Sequence, residues 1–385
     1  MPDAARSPLV RRYRLHCEVV SPLHVGGGQG DLRPALDFWT ERDRFCVADL
    51  SSEVFALLPD DLVDPAATFQ LPSIVAKIRN HPGLAPNRKA EILERLTRYV
   101  LTPVSPDVAS IIPVIKDMEN RPYVPGSALK GAIRTALAWK LVSEGRVEVQ
   151  PGDLGGNPRY ADDSLMSRLF GGPGANFDLL RALRVADSSP AERLRLERVE
   201  VYSLRQQGLQ GKGGRFAFHV ETVPAGCSTE AELTIDDFLL TGRAAERLGF
   251  DGRAGDVDRW LDVCREFGSH LIDAELRFYR QVGPFGRPLE AFYRQLQGMV
   301  VGLAARHECL LQISWGAGWT AKTIAMALSD QTQHAIRERY RLGRAGVPAF
   351  PKSRRLVGPP GRPTAPLGWL KIRVEEARDA TPLPR

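Results

Sequence analysis

The stretch Tyr123–Leu137 reads YVPGSALKGAIRTAL. Leu129, Ile133 and Leu137 recur at i, i+4 and i+8, the spacing of one buried stripe on an α-helix. Pro125 and Gly126 mark the turn into that helix, and Ser127 is placed to cap its first turn. Lys130 and Arg134, four residues apart, share a face away from the stripe. The unpaired N–H groups and positive dipole end of a helix start suit a phosphate. Gly131 leaves space for a backbone or sugar to come close. An ordinary amphipathic helix with two solvated cations fits the same residues.

Working outward on the N-terminal side, Tyr13–Val20 alternates Tyr13, Leu15, Cys17 and Val19 with Arg14, His16 and Glu18, the period of a half-buried strand. It runs into Pro22–Gly28 (PLHVGGG), a strand end followed by a flexible turn, and a short strand is expected at Arg44–Ala48. From Leu71 to about Val100 the apolar residues take helical spacing, interrupted at Pro82 and Pro86, which predicts a helical insertion. On the C-terminal side, strands are expected at Leu183–Ala186, Glu197–Tyr202, Arg215–Thr222 and Glu230–Ile235. Helices follow at Val257–Arg280 and Leu289–Ala304, then a strand at Cys309–Ser314 and helices from about Thr320 to Arg341. A Pro/Gly/Arg-rich loop at Gly343–Pro366 leads to a last strand at Trp369–Val374. Strands at both ends of two mixed units, with helices between, favour an α+β class over one parallel sheet. The expected units are 1–240, with a helical insertion at about 50–120 and a mobile hairpin loop at about 205–215, and 241–385.

Composition narrows the class of function. In 385 residues, 43% are hydrophobic and 25% charged, which is ordinary for a globular chain. A net charge of +6 favours an anionic partner only weakly, so the placement of the cations has to decide. The five cysteines (Cys17, Cys46, Cys227, Cys264, Cys309) are scattered without a CxxC pair, so buried thiols are expected rather than disulfides or zinc. No apolar run approaches a bilayer span, and a cytoplasmic location is expected.

Four further segments bear on chemistry. Pro22–Gly30 contains GGGQG, which is not a dinucleotide fingerprint, and no GxxxxGK[ST] loop occurs, so no nucleotide cofactor is expected. Gly26 and Gly27 could let a nucleic-acid backbone pass close to a sheet, while His24 is a general-base candidate or a structural histidine. Ser314–Thr323 sets Trp315 and Trp319 among glycines beside Lys322, a pattern that serves base stacking and phosphate binding or, equally, a packed core. Phe350–Arg355 gathers Lys352, Arg354 and Arg355 in the expected loop, and the hairpin adds Arg205, Lys212 and Arg215. Asp162-Asp163, Asp236-Asp237 and Asp187 show no metal-ligand spacing, so solvated or capping carboxylates are expected and no metal.

Taken in order, SPLHVGGG (Ser21–Gly28), YVPGSALKGAIRTAL (Tyr123–Leu137), LRVADS (Leu183–Ser188), ISWGAGWTAKT (Ile313–Thr323), FPKSRR (Phe350–Arg355) and PLGWLK (Pro366–Lys371) resemble the RAMP superfamily of CRISPR-associated proteins. The last elements make the set similar, more narrowly, to the fifth-numbered Csm subunits of type III-A effector complexes. The resemblance implies two ferredoxin-like (RRM-related, RAMP) modules with helical insertions. It implies a non-catalytic subunit that binds the 3′ part of a guide RNA (crRNA), caps the filament of repeating backbone subunits, touches the small subunit and meets target RNA indirectly. Guide maturation would draw on transiently recruited host nucleases. Gly126, Lys130, Arg134, Lys322, Arg354 and Arg355 become guide contacts on that reading, with His24, Gly26, Gly27, Ser127, Lys352 and the hairpin cations as further candidates. A metal-independent endoribonuclease using His24, and an assembly scaffold independent of RNA, are the competing expectations. The region from Val47 to Pro122 matches no motif of the family.

Overall fold

The computed structural model describes residues 9–59, 62, 69–103, 108–172, 174–205, 208–211, 217–343 and 350–377. Its strands are β1 (Val10–Val19), β2 (Phe38–Glu41), β3 (Arg44–Ala48), β4 (Thr97–Leu101), β5 (Ile111–Ile112), β6 (Leu183–Val185) and β7 (Arg195–Arg205). They continue with β8 (Gly208–Gly211), β9 (Ala217–Thr222), β10 (Ser228–Asp236), β11 (Glu308–Gln312), β12 (Ser353–Val357), β13 (Ala365–Pro366) and β14 (Trp369–Glu376). The helices are α1 (Ser52–Phe55), α2 (Leu71–Asn80), α3 (Pro86–Leu96), α4 (Gly126–Ser143), α5 (Asp163–Phe170) and α6 (Asp237–Leu240). After them come α7 (Gly242–Leu248), α8 (Ala254–Asp258), α9 (Trp260–Arg280), α10 (Arg287–Val300), α11 (Gly318–Lys322) and α12 (Asp330–Arg339).

Strand β1 behaves as its alternation requires. Leu15, Cys17 and Val19 are buried against helices, while Arg14, His16 and Glu18 line the opposite face. It lies between β14 and β10, and the sheet runs β11-β14-β1-β10-β6, antiparallel throughout. With α4 between β1 and β6 in the chain and α9 after β10, four of these strands take the ferredoxin-like order. Its fourth position is filled by β14, the last strand. The division expected at 240 falls between α6 and α7, and both large sheets draw strands from either side of it.

The second sheet runs β13-β12-β7-β9-β5, with β8 folded back on β7. Helix α9 serves both sheets. Its first half (Trp260, Val263, Cys264, Phe267) packs beneath the first sheet, and its second half (Leu271, Ile272, Leu276, Tyr279) meets Tyr202 of β7 and Leu356 of β12. Gly268 at the changeover crosses β11 so closely that a Cβ would run into the Leu310 carbonyl oxygen.

Two segments differ from expectation. Thr97–Leu101, expected to extend the helix before it, is an edge strand that pairs with β3 and buries Leu101 while leaving Arg98 and Val100 outside. Its Thr, Tyr and Val side chains suit a pleated surface, and pairing with Phe45–Ala48 overrides the helical run. The insertion thus forms a three-stranded sheet with α1, α2 and α3 around a core of its own. Ser353–Val357, read as loop, is β12, paired with β7 from Ser353↔Ser203 to Val357↔Val199. All five cysteines are free and buried. No helix among the described residues is long and apolar enough to cross a membrane.

Candidate nucleic-acid interface

Backbone hydrogen bonds draw three motif segments into one junction. The Trp315 N–H and the Ser314 hydroxyl both donate to the His24 carbonyl, each at 2.9 Å. Gly368 N–H donates to the Pro22 carbonyl (2.9 Å), Ile313 N–H to the Gly368 carbonyl (2.8 Å), and Trp369 N–H to the Ser21 hydroxyl (2.9 Å). Gly368 has φ +85°, and a Cβ there would collide with the Ile313 carbonyl, so the PLGW turn admits only glycine. A second junction holds α4. Gly126 lies so close to β6 that a Cβ would meet the Val185 carbonyl oxygen, and its N–H donates to Asp187 Oδ1 at 2.8 Å.

That last bond changes the reading of the helix start. Pro125, not Ser127, is the N-cap, and Ser127 is an exposed residue of the first turn. The carboxylate of Asp187 occupies the positive end of the α4 dipole, where a phosphate was expected. Gly126 is therefore a packing glycine in this fold, and LRVADS is the strand that supplies the carboxylate.

Open space lies further along α4. A groove of about 630 Å³ is walled by Ala128, Gly131, Ala132 and Thr135 of α4 on one side and by Gln312–Trp315, Ala321 and Lys322 on the other. The glycine loop, through Gly26, Gly28 and Gln29, closes one end. The α4 residues recur at i, i+3, i+4 and i+7, so small side chains form a continuous strip. Gly131 is exposed on it, and a Cβ there would meet nothing within 4 Å. Glycine in mid-helix costs about 1 kcal/mol against alanine. Packing within the chain gives no reason for it.

The cations divide sharply. Arg355 lies over the Trp315 ring at 4.1 Å and donates through Nη1 to the Trp315 carbonyl (3.2 Å). Burial lowers its pKa, and burial together with the Arg355 charge lowers that of Lys322. Among the described residues neither forms an ion pair, so the exposed Lys322 and the half-buried Arg355 stand beside the groove uncompensated. Arg354, by contrast, is spent internally. Its Nε and Nη2 donate to Glu275 Oε2 and Oε1, each at 2.8 Å, under Phe278, whose ring lies 4.0 Å away. Burial opposes the charge on Arg354, yet Glu275 raises its pKa on balance. Arg134 pairs with Asp178 at 2.7 Å and sits over Phe170 at 4.5 Å. Lys130 is half-buried, which lowers its pKa against the pull of Asp178. Lys352 is half-buried at the entry to β12. Arg205 ends β7, but its side chain, together with Lys212 and Arg215, lies outside the described residues.

Residues 16–262 match the model of the RAMP superfamily. The chain belongs to the RAMP superfamily. Among RAMP relatives, the CRISPR system Cms protein Csm5 of Streptococcus thermophilus is 25% identical over 311 residues, 75% of this chain and 82% of the relative. The Csm5 of Mycobacterium tuberculosis is 24% identical over 360 residues, 84% and 86% of the two chains. A chain in a cryo-EM structure of a Csm–crRNA–target RNA ternary complex of a type III-A CRISPR-Cas system superposes with a TM-score of 0.64 at 25% identity, over 94% of this chain and all of that one. A crystal structure of T. onnurineus Csm5 gives 0.55 at 25% identity, over 92% and 99%. The α+β architecture of antiparallel sheets with helical insertions is thus that of a RAMP chain related to Csm5.

In this RAMP chain the histidine of the glycine loop is a core residue. His24 is 0% exposed, and its Nδ1 donates to the Glu221 carbonyl at 2.7 Å. Burial holds its pKa below the ordinary histidine value. Beside it the Glu221 carboxylate, also fully buried, pairs with Lys116 and accepts from Tyr99 Oη (2.7 Å) and Val114 N–H (3.0 Å). The network ties β9 and β4 to the segment under the glycine loop and fixes where the loop emerges. Among the described residues no group of three or more His, Cys, Asp or Glu could hold a metal ion. Sequence reasoning expected Asp187 as a solvated or capping carboxylate without its partner, and missed Asp178 and Glu275, the internal carboxylates that claim Arg134 and Arg354. Each partner lies far along the chain, and no spacing signals it.

Proposed function

We propose that this RAMP chain is a non-catalytic guide-RNA-binding subunit of a type III-A CRISPR (Csm) ribonucleoprotein. In this reading it holds the 3′ part of the crRNA and caps the backbone filament. The observation that carries the RNA part is the α4 groove. One wall is a strip of small residues with an open glycine, and the cations beside it, Lys322 and Arg355, have no carboxylate partner among the described residues. Such a surface suits a polyanion that tracks close to a helix, and aromatic Trp315 gives bases something to lie against. The complex part rests on likeness: a related chain sits in a Csm–crRNA–target RNA assembly, and the alignment runs over nearly the whole of both chains. Contacts with the repeating backbone subunit and the small subunit, and transient visits by host nucleases, belong to the same proposal. So does a location in the cytoplasm with the rest of such an assembly.

Chemistry on the RNA is disfavoured by His24. A general acid or base must reach the proton it moves, and this imidazole, although it lies behind the groove wall, is 0% exposed with Nδ1 already committed. Incubation of the purified chain with single-stranded RNA in EDTA tests both parts. Binding that weakens with salt, and RNA that stays intact, are expected. Discrete cleavage that disappears in His24→Ala would replace the binding reading with the endonuclease one. RNA crosslinks confined to other subunits of a purified complex would favour a scaffold instead.

A further inference from the structure

Beyond Thr135 and Lys322, which line both spaces, the groove continues into a second cavity of about 350 Å³. That is within the range of small-molecule pockets, which starts near 300 Å³. Its walls are mostly apolar: Ala138 of α4, Leu165 and Met166 of α5, Trp319 of α11, then Ile324 and Leu328. Trp319 is held upright by the edge of Phe350, with ring centroids 5.4 Å apart and planes at 67°. The lining also includes two cations, Lys322 and Arg134, and the exposed carboxylate of Asp162.

An apolar slot with an aromatic wall, entered from a cationic groove, fits one occupant best. A nucleotide has a flat apolar face on one side of its sugar and a phosphate on the other, and the site divides the same way. An apolar side chain of a protein partner would fill the slot but leave Lys322 facing nothing. We infer that this cavity receives one base, turned out of an RNA strand whose backbone lies in the α4 groove, and that Trp319 is the wall it stacks on. The inference rests on RNA being the ligand of the groove. Asp162 can accept from an exocyclic amino group of such a base.

Comparing a short oligocytidylate with an abasic ribose-phosphate strand of equal length tests this, because the phosphates are identical. The intact chain should prefer the base-bearing strand by about 5- to 150-fold, the worth of a stacked base. Trp319→Ala removes the wall and Ala161→Trp, at a residue that lines the slot, fills it; either should cut that preference by most of that factor, leaving only what other stacking such as that on Trp315 supplies. Both variants should still bind the abasic strand as the parent does. Strands carrying 4-thiouridine should crosslink to Trp319. Equal binding of the two strands by the parent chain, or an undiminished preference in Ala161→Trp, overturns the inference while leaving RNA binding in place. Failure of the parent chain to bind either strand removes the groove reading itself. Normal RNA binding by Ala161→Trp together with failed assembly of its complex would assign the slot to a protein side chain.

Discussion

Adjacent residues can have opposite fates, and Arg354 and Arg355 show it. One points from β12 into the core and meets Glu275; the other points out and lies on Trp315. Arg354→Ala strands a buried carboxylate and should cost about 3–5 kcal/mol in denaturant unfolding. Arg355→Ala gives up a partly exposed cation–π contact and should cost only about 1 kcal/mol, yet weaken RNA binding. His24 makes a second prediction at this scale. Its pKa is lowered in the fold, so below about pH 6.5 the unfolded chain takes up the proton first. The charges facing it are Glu221 and Lys116; burial outweighs the pull of Glu221, and Lys116 acts on the same side as burial. Stability should be complete above about pH 6.5 and fall as pH drops below it, by at most about 1.4 kcal/mol per unit. Substituting His24→Gln should flatten that part of the profile, as followed by thermal melts between neutral and mildly acid pH.

Among the elements, α4 carries the account, and it was the most legible of them. Its stripe of Leu129, Ile133 and Leu137 is buried as the spacing demands, and Lys130 and Arg134 share a face. What occupies that face was not legible, because Asp178 and Asp187 arrive from a segment some fifty residues on. Periodicity reports which way a side chain points, never which distant group it meets. The same limit explains β4 and β12, whose strand character comes from pairing with β3 and β7. The motif segments were recognisable because each contains a glycine or turn with a strict geometric demand, as at Gly126 and Gly368. Gly131 is the exception that informs function, since no internal demand explains it. Gly131→Ala should therefore stabilise the protein by about 0.5–1 kcal/mol through helix propensity alone, while weakening its hold on RNA. A rise in melting temperature with unchanged RNA affinity would show that the glycine has no ligand to admit.

At the scale of the whole molecule, the last strand lies between β11 and β1, so the two ends of the chain close one sheet. The outer face of that sheet mixes Glu18, Glu230, Glu308 and Glu375 with Arg12, Arg14, His16, Lys371 and Arg373, many of them paired with one another. A face whose cations are so largely matched by carboxylates is a poor seat for RNA, although the RRM-related architecture would suggest the sheet. On the helix side, where the glycine loop, α4 and the Lys322–Arg355 pair converge, these two cations have no carboxylate partner among the described residues. Salt titration of RNA affinity tests this most directly, since each phosphate neutralised on a single strand adds about 0.7 to the slope of log K against log salt. For Lys322→Ala/Arg355→Ala the slope should fall by about 1.4, and for Lys130→Ala/Arg134→Ala by less, because Arg134 is already paired. An unchanged slope in the Lys322/Arg355 variant would contradict the assignment of the α4 groove to RNA.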